Sequence, residues 1–141
     1  MRPRPCTVAK HGREVRVDSL VVPGIDPTGS IFVYGTLLDE TLAGNILERA
    51  VRAEPARLLD FELLRLEGFP YPIAFYALGE VIEGRLYRGL TNADYERLDA
   101  YEGVGEGLYQ RVEARIVADG APEPAWVYVV TEKMLARYGA L

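Results

Sequence analysis

Glu102 is the residue of this 141-residue chain whose setting points most clearly to chemistry. Tyr95, Leu98 and Glu102 are spaced three and four apart, so on a helix they share one face, and the first two favour the core. Glu102 is therefore carried inward at the last helical turn, where burial, the helix dipole and Asp99 all disfavour its charged form. A carboxyl group with a raised pKa suits a general base that later acts as an acid. The alternative is an ordinary solvated glutamate at the end of a surface helix.

The stretch IFVYGTLLDE, residues 31–40, is the second candidate. Its β-branched and aromatic start predicts a short buried strand, which Gly35 and Thr36 interrupt. Where a strand ends in a small residue and the chain turns, successive N–H groups can converge on an anion such as a carboxylate. Gly35 permits close approach of a ligand, and Thr36 adds a hydroxyl. The alternative is that this glycine only marks a turn.

A helix within residues 91–107 must position Glu102. Thr91 or Asn92 can cap its start, and Gly103 follows at the point where a left-handed residue commonly ends a helix. Asp99 on this helix is interpreted as a structural or capping carboxylate rather than a second catalytic one.

The other elements are mostly strands. We expect helices over 43–52 and from Thr131 onward, and strands over 56–66, 73–78, 80–90, 109–119 and 125–130. The segments 73–78 and 80–90 are predicted to pair around Gly79, and the last two strands to pair across the GAPEP segment. This order predicts a single-domain α+β fold around a small curved mixed sheet or β-barrel. Residues 1–30 form either an appended tail or, through the alternating stretch 15–22, an added edge strand.

The composition excludes several classes of protein. A net charge of −5 argues against nucleic-acid binding, which needs a basic surface. Cys6 is the only cysteine, so no intrachain disulfide is expected. His11 is the only histidine, which excludes multi-histidine metal sites. A Ser-His-Asp triad or a Cys-His dyad would have to use His11 itself. The chain shows neither a signal peptide nor a membrane-spanning run, so we expect a cytoplasmic protein without a membrane partner.

Five motifs together resemble the gamma-glutamylcyclotransferase-like superfamily, and most closely its gamma-glutamylamine cyclotransferase branch. They are VYGTL (33–37), GFPYP (68–72), EGRLY (83–87), LDAYEGV (98–104) and LYQRV (108–112). The resemblance runs from about residue 31 to about residue 130. It implies a small barrel-like α+β fold with a cavity, and it divides the chain into an N-terminal extension, 1–30, and a gamma-glutamylcyclotransferase-like domain, 31–141.

The resemblance also implies a reaction and a set of site residues. A γ-glutamyl amine or amide would cyclise to 5-oxoproline and release an amine, with no cofactor and no metal. Glu102 would be the catalytic residue, and the small-molecule γ-glutamyl substrate would bind residues of the YGTL-type loop. Those loop residues are Tyr34, Gly35, Thr36 and Leu37. The thirty-residue extension could cover the cavity or mediate contact between subunits, so a homo-oligomer stays open.

Other residues have two interpretations each. Tyr109 could donate its hydroxyl toward Glu102 or the substrate, or it could be core packing. Arg111 is expected to pair with Asp99, because pairing with Glu102 would lower the pKa of the proposed base. The side chains of Tyr71, Pro72 and Tyr87 could wall the pocket or simply pack.

Two further functions stay open beside this one. The first is a noncatalytic ligand-binding or interaction module that keeps the same cavity, because a fold does not fix a function. The second is cyclisation of a different γ-glutamyl conjugate.

Overall fold

The computed structural model describes residues 29–69 and 72–137, in which strands alternate with short helices. The strands are β1 (Ser30–Val33), β2 (Ala53–Leu64), β3 (Ile73–Arg88), β4 (Tyr109–Ala118) and β5 (Ala121–Val130). The α-helices of the described ranges are α1 (Glu40–Leu47), α2 (Asn92–Glu102) and α3 (Glu132–Arg137). Short 3-10 helices cover Thr36–Leu38 and Val104–Glu106. The predicted edge strand at 15–22 lies outside the described residues.

The described strands close into a barrel in the order β1, β3, β2, β4, β5. All neighbours are antiparallel except β1 and β5, which run parallel through Ile31 opposite Trp126 and Phe32 opposite Val127. The predicted α+β fold with a small mixed barrel is therefore confirmed.

β1 is buried on both faces, which explains its continuous apolar sequence. Phe32 points into the barrel and packs with Leu58, Leu86 and other interior side chains. Its neighbours Ile31 and Val33 point outward, into a second core cluster between the barrel and helices α1 and α2. The chain leaves this buried strand directly before the YGT segment, so the loop begins from a rigid base.

α2 begins and ends as its sequence predicts. The Thr91 hydroxyl accepts a hydrogen bond from the N–H of Asp94, and the Asp94 carboxylate accepts one from the N–H of Thr91, which forms a capping box. Arg49 pairs with the buried Asp94 and ties the helix start to the segment after α1. Gly103 adopts φ 75° and ends the helix one residue after Glu102.

The predicted pairing of 73–78 with 80–90 around Gly79 is wrong. Both segments belong to the single strand β3, and both pair with β2. The register shifts between Leu59 and Phe61, where Asp60 adopts φ 67° and its carboxylate accepts the N–H of Gly79 at 2.9 Å. Gly79, at φ 88°, therefore marks a bulge within a long ribbon rather than a reversal of the chain.

Element boundaries account for the other differences. The helix predicted over 43–52 starts earlier, because Asp39 caps it by accepting the N–H groups of Thr41 and Leu42. The strand predicted over 56–66 is confirmed as β2, and the β4–β5 pair is confirmed as antiparallel. GAPEP is mostly strand rather than connection, because the chain reverses at Asp119 and Gly120, both at positive φ.

Candidate active site

A cavity of about 690 Å³ brings together the loop 34–37, Glu102 and Tyr109, the residues predicted from the sequence to be catalytic or to bind substrate. The loop after β1, the end of α2 and the start of β4 all contribute to its wall. The sequence-predicted residues on that wall are Tyr34, Gly35, Thr36, Leu37, Glu102 and Tyr109.

The loop presents backbone N–H groups through a 3-10 helix. Its internal hydrogen bonds run from the N–H of Leu38 to the carbonyl of Gly35, 3.0 Å, and from the N–H of Asp39 to that of Thr36, 3.2 Å. The N–H groups of Thr36 and Leu37 lie in the first turn, where a helix offers no internal acceptor. Within the described part of the chain no side chain caps this turn.

Gly35 keeps the approach to those N–H groups open. A Cβ atom built at this position meets no described atom within 4 Å. The absence of a side chain here therefore leaves open space at a residue that lines the cavity, rather than relieving a packing clash.

Two tyrosines hold the loop in place. The Tyr34 hydroxyl donates to the carbonyl oxygen of Tyr128 on β5 at 2.8 Å. The Tyr87 hydroxyl, on β3, donates to the carbonyl oxygen of Leu37 at 2.7 Å. Tyr87 is buried in the core beneath the loop and does not line the cavity, so its packing interpretation is the one observed.

Glu102 also lines the cavity and is half-buried, at the last turn of α2. Burial is the main cause that raises the pKa of its carboxyl group from 4.5 to about 7, and the negative charge of Asp99 adds to it. The inward placement expected from the helix pattern is observed. Near neutral pH this side chain is populated in both protonation states, as proton transfer in both directions requires.

Asp99 sits one helical turn before Glu102 in a polar cluster. Its carboxylate accepts two hydrogen bonds from Arg111, each 3.1 Å, and one from the Tyr128 hydroxyl, 2.6 Å. The predicted pairing of Arg111 with Asp99 is confirmed. Burial, followed by this hydrogen bond to Asp99, raises the pKa of the Tyr128 phenol.

Several cavity residues escaped the sequence analysis. Tyr101 lines the cavity, and its hydroxyl lies 3.1 Å from that of Thr36. Its position next to Glu102 was a signal that could have identified it. Tyr128 and Met134 also line the wall, but they come from β5 and α3, and no local pattern marks them.

The segment after Glu102 is fastened to the beginning of α3. The Lys133 ammonium donates to the carbonyl oxygen of Glu106 at 2.9 Å, and the Thr131 hydroxyl donates to the carbonyl oxygen of Gly107. The GVGEG stretch, residues 103–107, is therefore held in place next to the cavity.

Two residues of the GFPYP motif were suggested to line the pocket. Pro72 does not line the cavity, and Tyr71 lies outside the described residues.

A metal-binding cluster and a membrane-spanning helix are both absent from the described ranges. No three His, Cys, Asp or Glu side chains of residues 29–69 and 72–137 are grouped so that they could hold a metal ion. No helix in the same ranges has both the length and the apolar character needed to cross a bilayer.

The fold and the site define a small closed barrel in which one half-buried glutamate and a backbone loop line the same cavity. Residues 31–139 match the family described as Gamma-glutamyl cyclotransferase, AIG2-like, and the chain belongs to this family.

Individual relatives agree with that assignment. The Arabidopsis thaliana protein named Protein AIG2 C is 31% identical over 88 residues, which are 62% of this chain and 52% of the relative. This chain spans about half the length of the curated relatives it matches.

Solved structures support the fold. The solution structure of an Arabidopsis thaliana protein superposes with a TM-score of 0.67 at 28% identity, covering 83% of this chain and 71% of the other. A structure named Gamma-glutamyl cyclotransferase gives a TM-score of 0.62 at 20% identity, covering 73% of this chain and 66% of the other.

Proposed function

We propose that this protein converts a γ-glutamyl amine or amide into 5-oxoproline and a free amine, with Glu102 as general base and then general acid. The observation that carries the proposal is that Glu102, with a pKa of about 7, lines the same cavity as the loop 34–37. Membership of the Gamma-glutamyl cyclotransferase, AIG2-like family supports it. Within that family, the YGTL form of the loop favours the gamma-glutamylamine branch.

Glu102 would transfer a proton in both steps of the reaction, the attack of the α-amine and the departure of the leaving amine. The substrate's α-amine is mostly protonated near neutral pH, so it must lose a proton to the Glu102 carboxylate before it can attack. Its nitrogen then forms a bond to the γ-carbonyl carbon and closes a five-membered ring. Glu102, now a carboxylic acid, returns the proton to the departing nitrogen as the original C–N bond breaks. The ring nitrogen then gives its remaining extra proton to the regenerated carboxylate, which leaves the neutral lactam. Such proton transfer is typically worth about 10²- to 10⁴-fold in rate.

The loop would hold and fold the substrate. The N–H groups of Thr36 and Leu37 would bind the substrate's α-carboxylate, and the open space at Gly35 would let it approach the backbone. Because both reacting groups belong to one molecule, correct folding of the substrate replaces an encounter and gives a large effective molarity.

Tyr109 is assigned to substrate binding. It lies on the cavity wall at the start of β4, while its side chain also packs against the apolar clusters around the barrel. Its phenol would contact the substrate at the side of the cavity that Leu108 and Met134 also line.

The test is direct. Purified protein is incubated with a panel of γ-glutamyl amines and γ-glutamyl dipeptides, and 5-oxoproline is quantified by mass spectrometry. A Glu102→Gln variant should lose turnover by about 10²-fold or more while still binding substrate in calorimetry. Glu106→Gln is the matched control, because this exposed glutamate lies four residues along and is not part of the cavity wall. It should keep full turnover.

Two outcomes would reject the proposal. Absence of 5-oxoproline with every substrate, together with binding of the intact compounds, would favour a noncatalytic ligand-binding module. Unchanged turnover in Glu102→Gln would remove this residue from the mechanism.

A further inference from the structure

The cavity is larger than the part of the substrate that reacts. Its volume of about 690 Å³ lies in the range of pockets that enclose a drug-sized ligand. A γ-glutamyl unit is no larger than one amino acid, so in the proposed reaction it fills only part of this space. The rest is available to the other half of the amide, the group that departs with the amine.

Three side chains of the cavity wall come from the start of β4 and from α3. They are Leu108, Tyr109 and Met134, and we call them the α3 wall. All three pack in one apolar cluster with Phe69. The loop residue Leu37 belongs instead to the cluster between the barrel and helices α1 and α2, which Tyr109 alone of the three also contacts. The cavity is therefore built on two different parts of the core.

The α3 wall is held in place by its own backbone. The N–H of Met134 donates to the Thr131 hydroxyl at 3.1 Å, and the N–H of Thr131 donates to the carbonyl oxygen of Leu108 at 3.1 Å. Met134 is buried, and its flexible thioether side chain can follow the shape of different apolar ligands. This part of the cavity thus offers a preformed surface of hydrocarbon and aromatic carbon.

Charged groups near this wall are bound to protein atoms. The Lys133 ammonium donates to the carbonyl oxygen of Glu106 at 2.9 Å. The Arg111 guanidinium donates twice to Asp99 and lines a separate cleft. Of the described residues on the cavity wall, Glu102 alone has a carboxylate or cationic side chain. A carboxylate at the far end of the substrate would be desolvated there without a cation, and an ammonium would compete for Glu102.

We propose that the leaving group is an apolar amine, an alkyl or arylalkyl chain without a second charge, which lies against Leu108, Tyr109 and Met134. The inference rests on the proposed function, because it assigns the amine side of the same reaction. The substrate is then a γ-glutamyl alkylamide or arylalkylamide, and burial of hydrocarbon supplies the affinity on this side. The bonds formed and broken, and the path of the protons, are those of the cyclisation already described.

The experiment begins with a series of γ-glutamyl amides of ethylamine, butylamine and hexylamine. Wild-type kcat/KM is measured from 5-oxoproline formation. The dissociation constant is measured by calorimetry with the Glu102→Gln variant, in which the substrate should stay intact. Each added methylene should raise both kcat/KM and the affinity by about threefold. Values that do not rise with chain length would overturn the inference.

A second series keeps the length of the chain and changes its far end. The γ-glutamyl amides of hexylamine, cadaverine and δ-aminovalerate end in a methyl group, an ammonium and a carboxylate. The hexylamide should exceed each charged amide in kcat/KM by about tenfold or more, because the charged ends must be desolvated. Equal or faster turnover of either charged amide would overturn the inference.

Variants of the α3 wall test which residues read the chain. Met134→Ala should lower kcat/KM about fivefold to tenfold for the hexylamide and less than about twofold for the ethylamide. Leu108→Ala should act in the same direction, and it decides the question if Met134→Ala does not fold. Leu135→Ala is the matched control, because this half-buried neighbour on α3 is not part of the cavity wall. An unchanged preference for the hexylamide in Met134→Ala and Leu108→Ala would contradict the assignment of this wall.

These measurements separate the inference from the proposed function. If 5-oxoproline forms equally well from apolar and charged amides, the reaction stands and the apolar specificity fails. If no amide turns over but the wild-type protein binds the longer apolar amides more tightly, the reaction fails and the α3 wall remains a binding surface for hydrocarbon.

Discussion

The hydroxyl oxygens of Thr36 and Tyr101 lie 3.1 Å apart, and this hydrogen bond joins the loop after β1 to the residue that precedes Glu102. Both side chains are exposed, so the bond contributes little to the free energy of unfolding. Its effect is geometric. It fixes the loop 34–37 relative to the end of α2, and both segments line the cavity.

Tyr101→Phe removes that bond and keeps the ring. We expect the melting temperature to stay near the wild-type value and the KM for the γ-glutamyl substrate to rise roughly threefold to tenfold, the equivalent of one hydrogen bond. Steady-state kinetics of 5-oxoproline formation measures this. Tyr76→Phe, at an exposed tyrosine of β3 outside the cavity wall, is the control. An unchanged KM in Tyr101→Phe would contradict the bridging role.

The pH dependence of the reaction should follow Glu102. In the proposed reaction its carboxylate is the form that accepts the amine proton, and burial with the charge of Asp99 places its pKa at about 7. Below that pH, kcat/KM should fall about tenfold per pH unit as the base becomes protonated. A profile that stays flat down to about pH 5, near the ordinary range of a glutamate, would contradict this assignment.

The same raised pKa should make the free energy of unfolding depend on pH. Because the folded state holds the proton more tightly than the unfolded chain, the stabilising effect is complete below about pH 4.5 and is lost as pH rises through about 7. Glu102→Gln removes the ionisation. The variant should therefore be more stable than the wild type at about pH 8, by at most about 3 kcal/mol.

Urea unfolding at several pH values measures that difference. The two curves should converge at about pH 4, where the wild-type side chain is neutral in both states. Equal stability of variant and wild type at alkaline pH would show that Glu102 is not destabilised by its surroundings.

Two glycines should respond to alanine in opposite ways. At Gly35 a Cβ atom has open space, so Gly35→Ala should keep the melting temperature and lower kcat/KM about tenfold or more by displacing the substrate. At Gly84 a Cβ atom would overlap the carbonyl oxygen of Val33 and the ring of Phe32. Gly84→Ala should therefore destabilise the fold by about 1–3 kcal/mol.

Calorimetric unfolding and kinetics on the same two preparations distinguish these effects. A large loss of stability in Gly35→Ala, with normal kinetics in the fraction that folds, would contradict this. Gly35 would then be needed for the backbone conformation of the loop and not for substrate binding.

The features predicted correctly from the sequence are those encoded locally. α2 carries its own cap at Thr91 and its own stop at Gly103, and the three- and four-residue spacing from Tyr95 sets the direction of Glu102. β1 is marked by its apolar run. Each of these signals lies within about one element of the residue it positions, so a single sequence contains it.

The features that were missed depend on contacts between distant segments. Gly79 has the sequence signature of a turn, and only its partner Asp60, nineteen residues earlier, makes it a bulge instead. Tyr128 lines the cavity from β5 of the closed barrel and Met134 from α3, and neither has a local pattern that distinguishes it from ordinary core residues. Strand pairing, rather than propensity, decides these positions.

The parallel contact between β1 and β5 has a consequence for the order in which the site comes into existence. β1 lies early in the chain and needs partners from β3 and β5, which lie far along it. During synthesis the cavity residues Gly35, Leu37 and Glu102 leave the ribosome before β5 does. The nascent chain therefore carries these residues before the barrel behind them can close, and the cavity is complete only when β5 pairs with β1.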